Sequence, residues 1–381
     1  MKLNRKSFFV MLSGLALTCV LGINSGCKKS ESPPDTKGNL HIVALAPLTG
    51  PGASLGEYLR NGIELANEEV TNRYPGKIEI TVELLDSKNQ PTEGVSALQA
   101  ALAQKRPDAI ISAMSSVTKA VAPIVEREGI LTIATTTALT DLPKGTKTVV
   151  RVYPTSDDFV RPIAAEMAKR FDRVAVLYVH DDFGDSNQRL FNEIIKSAGK
   201  QVTGSEPFEL AQADSRTIIA RLLATTPQAV FVTGYGPAFV AVFKQLKEAR
   251  ADLPIYTEIG FANPAILTAL GQDADGIVFD GTEMELSDPK DQKIAAFQKQ
   301  YRTRFGKEPY QVAGFAYDSI LLLADGAMKS GSFAKPDKKA VISVSPFQGA
   351  MGTIHFDAEG ECRVPLKLMK REAGKTVLLA Q

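Results

Sequence analysis

The sequence predicts an α/β protein made of two doubly wound parallel-sheet lobes, and three observations predict it. Short, continuous apolar runs alternate with amphipathic helical patterns, and strands apolar on both faces belong to parallel sheets covered on both sides. The alternation runs twice, once before about Val152 and once after it. The pattern then changes beyond Gly276–Gly281, giving way to two long helical stretches and a Gly-rich, strand-like tail. A length of 381 residues fits two domains at roughly 100–200 residues each.

The elements follow in order. His41–Pro47 reads as a strand and Leu55–Tyr74 as a helix with Leu59, Ile63, Ala66 and Val70 on one face. Lys77–Leu85 is a strand, Thr92–Lys105 a helix, Ala109–Ser112 a strand, Thr118–Glu128 a helix and Ile130–Ala134 a strand. Thr148–Val152 adds another strand before the helix Asp157–Phe171. The second series begins with the apolar strand Arg173–Val179 and the helix Ser186–Ala198. It continues with Gln201–Ser205, Arg216–Ala224, Ala229–Thr233, Ala238–Ala249, Ile255–Thr257 and Ala265–Leu270, alternately strand and helix. Lys290–Phe305 and Gln311–Lys329 are long helices, and Gly349–Leu368 is the tail. Right-handed crossovers wind each series into one sheet.

The N-terminus reads as an address. Lys2, Arg5 and Lys6 precede the uncharged run Ser7–Ile23, slightly short for a bilayer, and a charged, Pro-containing tether follows. Residues 1–26 are therefore expected to be a signal peptide and 27–38 a tether. Asn24-Ser25-Gly26-Cys27 resembles the bacterial lipoprotein processing box, which implies lipidation of Cys27 and attachment of the mature protein to a membrane facing the periplasm or cell surface. Cys19 would leave with the signal, so Cys362 has no partner and reads as a small buried hydrophobe.

The formal net charge is +1, which gives no electrostatic footprint for nucleic acid. The three histidines, His41, His180 and His355, are dispersed and lack metal-ligand spacing. No HExxH, CxxC, Walker loop or GxSxG pattern occurs, so no enzyme chemistry, metal or cofactor is expected. Gly234-Tyr235-Gly236 fails the dinucleotide fingerprint because Phe239 stands where its third glycine belongs. Asp181, Asp182 and Asp185 fail the EF-hand pattern because Phe183 takes the place of an oxygen ligand; capping of the Ser186 helix suits them better.

The strand-to-helix loops carry the remaining signal, because ligands of open parallel sheets bind outside the carboxyl ends of the strands. Leu48–Leu55, Ala113–Thr118, Thr135–Ala138, His180–Ser186, Gly234–Pro237 and Glu258–Asn263 offer hydroxyls, helix-start amides, aromatics and one acid, Glu258. Hydroxyls and amides suit a carboxylate, an acid suits an ammonium, and aromatic faces suit an apolar body. The set describes a receptor for a small zwitterion, with no paired base and nucleophile.

The chain resembles the leucine/isoleucine/valine-binding protein family, the type I periplasmic substrate-binding proteins of ABC importers. The resemblance runs from about Asn39 to Leu368, through IVALAPLTGPGASLGEYLRNGIELA, LLDSKNQPTEGVSAL, SSVTKAVAPIVEREGILTIATTTA, AVLYVHDDFGDS, VTGYGP, EIGFANPAIL and GFAYDSILLLADG. It implies two α/β lobes joined by a three-crossover hinge: residues 39–150 with 283–347, and residues 151–282 with 348–381. It also implies that Ser115, with Ser116 beside it, holds a carboxylate. The Thr136, Thr137 and Ala138 loop supplies a carbonyl, an amide and a hydroxyl, with Thr137 standing in for the family threonine that aligns with Ala138. Phe183 and Tyr235 supply the aromatics, and Leu55 replaces one more. The family's acid for the ammonium aligns with Ile259, one residue from Glu258, so Glu258 serves after a small loop shift.

The implied function is capture of a branched-chain or other apolar amino acid by hinge closure, and delivery by a monomer to membrane permease subunits. An aromatic or aliphatic carboxylate or an amide remains open as the solute. A sensory ligand-binding subunit on the same fold is the second reading, and an exported hydrolase is the third.

Overall fold

The computed structural model describes residues 37–286 and 288–379. The signal segment and Cys27 lie outside the described residues. Lys37 onward clusters as a single unit.

The first series gives β1 (Gly38–Ala46), α1 (Ala53–Arg73), β2 (Ile78–Asp86), α2 (Pro91–Gln104), β3 (Ala109–Ala113), α3 (Ser115–Glu128), β4 (Leu131–Thr135) and β5 (Val149–Val152). The second gives α4 (Ser156–Arg170), β6 (Arg173–Val179), α5 (Asp182–Ser197), β7 (Gln201–Phe208), α6 (Arg216–Ala224), β8 (Ala229–Thr233), α7 (Gly236–Ala249), β9 (Ile255–Thr257), α8 (Pro264–Leu270) and β10 (Val278–Gly281). Then come α9 (Gln292–Phe305), α10 (Gln311–Ser330), α11 (Lys338–Ile342), β11 (Phe347–Gly349), β12 (Gly352–Phe356), β13 (Cys362–Arg363), β14 (Lys367–Glu372) and β15 (Lys375–Leu378).

A five-stranded sheet runs β2-β1-β3-β4-β5 and a seven-stranded sheet runs β15-β14-β10-β9-β8-β6-β7. All pairings are parallel except at β14, which lies antiparallel to β10 and forms a hairpin with β15. Each sheet therefore repeats one winding, in which its first strand is flanked on both sides by its successors. Central strands such as β3, β4 and β8 are buried along their whole length, which is why they read as unbroken apolar runs. Among the described residues no helix is long and apolar enough to cross a membrane.

The long helices return to the first sheet. Gly62 of α1 lies so close to α10 that a Cβ there would meet the Ala313 carbonyl oxygen at 2.1 Å. Only glycine permits that approach of two backbones.

The chain crosses between the sheets after β5, after β10 and after β13. The last crossing falls later than Gln348, where the sequence placed it. Residues 347–363 form a three-stranded sheet of their own that stays beside β5. There the Arg151 amide donates to the Gly360 carbonyl at 2.9 Å and Cys362 Sγ donates to the Tyr153 carbonyl at 3.4 Å. A buried ion pair of Arg151 with Glu361 holds this segment in place. Only β14 and β15 join the second sheet. Burial pushes the Cys362 thiol up to about 12, as fits a packed hydrophobe.

Two helices begin three or more residues earlier than the sequence predicts. α3 starts at Ser115 rather than Thr118, because Met114 turns the chain sharply at φ 74°. α5 starts at Asp182 rather than Ser186: Asp181 caps it by accepting from the Gly184 amide at 2.9 Å. Gly184 itself lies against the end of β6, where a Cβ would meet the Val179 carbonyl oxygen at 1.8 Å.

Candidate functional site

In each sheet the winding reverses beside its first strand, so loops leaving β1 and β3, or β6 and β8, diverge and open a crevice at the carboxyl ends. The two crevices face each other across one cavity. Leu55, Met114, Ser115 and Thr136 line it from the first sheet. Asp181, Phe183, Gly234, Tyr235, Glu258 and Gly260 line it from the second, with Asn263 and Ile266 beyond them. Tyr153 on the first crossover and Tyr310 and Val312 at the start of α10 complete the wall. The open space is about 50 Å³.

The wall from the first sheet is held by hydroxyls. Ser112 and Thr118 share a hydrogen bond at 2.8 Å, Thr118 and Thr137 another at 3.0 Å, and Thr137 donates to the Thr135 carbonyl. This chain fixes the loop after β4 against the start of α3. Ser115 Oγ accepts from the Ala138 amide at 3.3 Å while lining the cavity. Thr136 is forced to φ 46°, a left-handed conformation that strains a β-branched residue, and its Oγ1 is buried without a partner. An unpaired buried hydroxyl costs about 1–3 kcal/mol, which a bound acceptor would recover.

Glu258 is 1% exposed. It follows β9 and caps the short turn Ile259–Ala262, accepting from the Gly260 amide at 2.5 Å and from the Gly234 amide at 3.3 Å. Burial raises its carboxyl from the ordinary 4.5 to about 7, against the pull of those two amides. Ile259, at the position the family resemblance assigns to the acid, is fully buried in the core. Of these two positions, Glu258 is the one that lines the cavity.

Tyr235 stacks edge-on with Phe183 at 6.1 Å, and its hydroxyl donates to Asp181. Burial raises Asp181 as well, offset by that hydroxyl and by the amides of the α5 start. Tyr310 hydroxyl donates to the Gly260 carbonyl at 3.3 Å and Gln311 Nε2 to the Ile259 carbonyl at 3.2 Å, so the start of α10 docks on the turn that carries Glu258.

Of the residues singled out from the sequence, Leu55, Ser115, Thr136, Phe183, Tyr235 and Glu258 line the cavity. Ser116 is half-buried behind Ser115; Thr137 and Ala138 serve the loop's own hydrogen bonds. Asp181 lines it besides capping α5. Tyr153, Tyr310 and Val312 carried no sequence signal, because they sit on connections between the two sheets rather than on the loops of either one. Among the described residues no cluster of His, Cys, Asp or Glu has the arrangement to hold a metal ion.

A model of the periplasmic binding protein family matches residues 39–370. The chain belongs to that family. This binding protein is similar to the leucine-, isoleucine-, valine-, threonine- and alanine-binding protein of Pseudomonas aeruginosa, 25% identical over 333 residues that cover 85% of this chain and 87% of that one. Its fold matches the crystal structure of the leucine binding protein LivK of Thermotoga maritima, with a TM-score of 0.79 at 23% identity, covering 90% of this chain and 98% of the other. It also matches an ABC transporter solute binding protein of R. palustris in complex with benzoate, with a TM-score of 0.81 at 20% identity, covering 90% and 96% of the two chains. The fold is thus the two-lobed α/β fold of type I periplasmic binding proteins, and proteins of this family act outside the cytoplasm.

Proposed function

We propose that this chain is the solute-binding component of an ABC importer and that its solute is a small apolar amino acid, of which a branched-chain one fits best. One observation carries the choice. The cavity joins a buried acidic end, Glu258 and Asp181, to an uncharged end of hydroxyls and helix-start amides, and among the described residues lining it none is Lys, Arg or His. A simple carboxylate would share this small space with two acids and only dipoles to balance it. A zwitterion brings its own cation.

The ammonium faces Glu258. The carboxylate sits on Ser115, Thr136 and the amides at the start of α3, where the helix dipole favours an anion. The apolar side chain packs against Leu55, Phe183, Tyr153 and Tyr310. A space this small has no room for a peptide or a sugar chain. The name of the P. aeruginosa relative points to the same solutes.

Two lobes built on the two sheets close about their crossovers, and the solute favours the closed state through its greater affinity for it. The chain releases the solute unaltered to membrane permease subunits. It works as a monomer, exported through its N-terminal signal and tethered by lipid on Cys27. Calorimetric titration with L-leucine, L-isoleucine, benzoate and benzamide tests the assignment. Heat from the amino acids alone is expected. Binding of benzoate without binding of either amino acid overturns it.

A further inference from the structure

Asn89 and Tyr235 meet across the cleft. Asn89 belongs to the loop after β2 of the first sheet, and Tyr235 follows β8 of the second. Asn89 Nδ2 donates to the Tyr235 hydroxyl at 2.7 Å, and that hydroxyl donates onward to Asp181. Tyr235 and Asp181 line the cavity, whereas Asn89 is not part of its wall. Lys88 and Asn89 adopt φ 48° and 57°, a left-handed turn that asparagine tolerates better than most residues and that carries the amide over the cleft. A second contact crosses nearby, from Lys119 of α3 to Asp182 at 2.6 Å. Its lysine is exposed, and such pairs contribute little.

We infer that Asn89 is a positioning residue for solute capture: without touching the solute, it clamps the Tyr235 hydroxyl only when the two sheets are drawn together. A hydrogen bond that spans the cleft exists only in the closed arrangement. It therefore adds to the closed population and raises the apparent affinity for any solute that needs closure. It also fixes the Tyr235 ring, whose hydroxyl is held from one lobe by Asn89 and from the other by Asp181. This inference rests on the reading of the chain as a solute-binding protein that closes.

The test uses Asn89→Gly, Tyr235→Phe and the double variant. Glycine is at home at φ 57°, so the first removes the amide without adding strain. Phenylalanine keeps the ring and removes only the hydroxyl. In titrations with L-leucine each single variant is expected to bind about threefold to tenfold more weakly, and the double variant no more weakly than the worse single, because both remove the Asn89–Tyr235 bond and Tyr235→Phe removes the Asp181 bond besides. Small-angle scattering of the ligand-free proteins is expected to give Asn89→Gly a larger radius of gyration than the parent. Additive losses, or unchanged affinity in Asn89→Gly, overturn the inference. If leucine binds none of the four proteins, the assigned solute is what failed. Scattering then decides alone: equal radii for the parent and Asn89→Gly overturn the clamp, and a larger radius in the variant supports it.

Discussion

Ser115 Oγ accepts a hydrogen bond from the Ala138 amide at 3.3 Å, joining the start of α3 to the loop after β4. The same oxygen lines the cavity, so one hydroxyl both ties two loops and offers a donor to a bound carboxylate. Ser115→Ala removes that donor and leaves the Ala138 amide unpaired. The fold keeps the Ser112–Thr118–Thr137 hydroxyl chain, which does not involve Ser115. The expected outcome is a loss in affinity for L-leucine of about tenfold to a hundredfold, with a drop of only a few degrees in the melting temperature of the ligand-free protein, from the one unpaired amide. Calorimetry and a thermal melt of the same preparation check both halves.

The role proposed for Glu258 predicts binding that depends on pH. Its carboxyl titrates at about 7 because it is buried, and a ligand ammonium requires it ionised. Affinity for L-leucine is expected to rise about tenfold from pH 6 to pH 8 as this group loses its proton. The sign for stability is opposite. Between the ordinary 4.5 and about 7 the folded protein holds a proton that the unfolded chain has released, so this group alone subtracts stability as pH rises through that window. Glu258→Gln is expected to bind leucine weakly and to flatten the pH profile. A profile as steep as the parent's would assign the titration to another group, such as Asp181.

The fold was legible because each central strand is short, apolar on both faces and followed by an amphipathic helix. Arg173–Val179, Arg216–Ala224, Ala229–Thr233 and Ile255–Thr257 lie where periodicity placed them. The helix starts were less legible. Gly184 sits where its backbone touches Val179, and Asp181 caps the helix by reaching the Gly184 amide, two contacts that no periodicity encodes. For the site, loop position pointed to the strand-to-helix loops and the family resemblance singled out Ser115, Thr136, Phe183, Tyr235 and Glu258 within them, and all five line the cavity. Tyr153 and Tyr310 were hidden because they enter the cavity only once separate stretches of chain fold back on one another. The tail was misplaced for a similar reason: Glu361 pairs with Arg151 far away in sequence.

Gly62 tests how tightly the returning helices are seated. Ala at this position would place its Cβ about 2.1 Å from the Ala313 carbonyl oxygen, and both atoms belong to helix backbones that cannot rotate away. α1 and α10 must separate to admit it. Overpacking of this kind costs about 1–3 kcal/mol. Gly62→Ala is expected to lower the urea midpoint accordingly, whereas Gly76→Ala, where a Cβ would meet open space, carries only the backbone strain of φ 72°.

Arg151 is wholly buried at the end of the first sheet, and Glu361 reaches it from the late three-stranded sheet, accepting from Arg151 Nε at 2.7 Å and from Nη2. Arg151 also donates to the Leu139 carbonyl. Such a pair is weak evidence for net stability, since removing two charges from water offsets much of their attraction. Breaking it is another matter, because the guanidinium would stay buried with a carbonyl as its sole acceptor. Glu361→Ala is therefore expected to cost about 3–5 kcal/mol, and Arg151→Met with Glu361→Leu far less. Chemical denaturation of the parent, the single and the double variant measures the difference. Because the pair holds residues 347–363 beside β5, the single variant is also expected to expose Cys362, which thiol labelling at pH 8 would read directly. Equal stability of the single and double variants would show that the ion pair does not fix the late crossing.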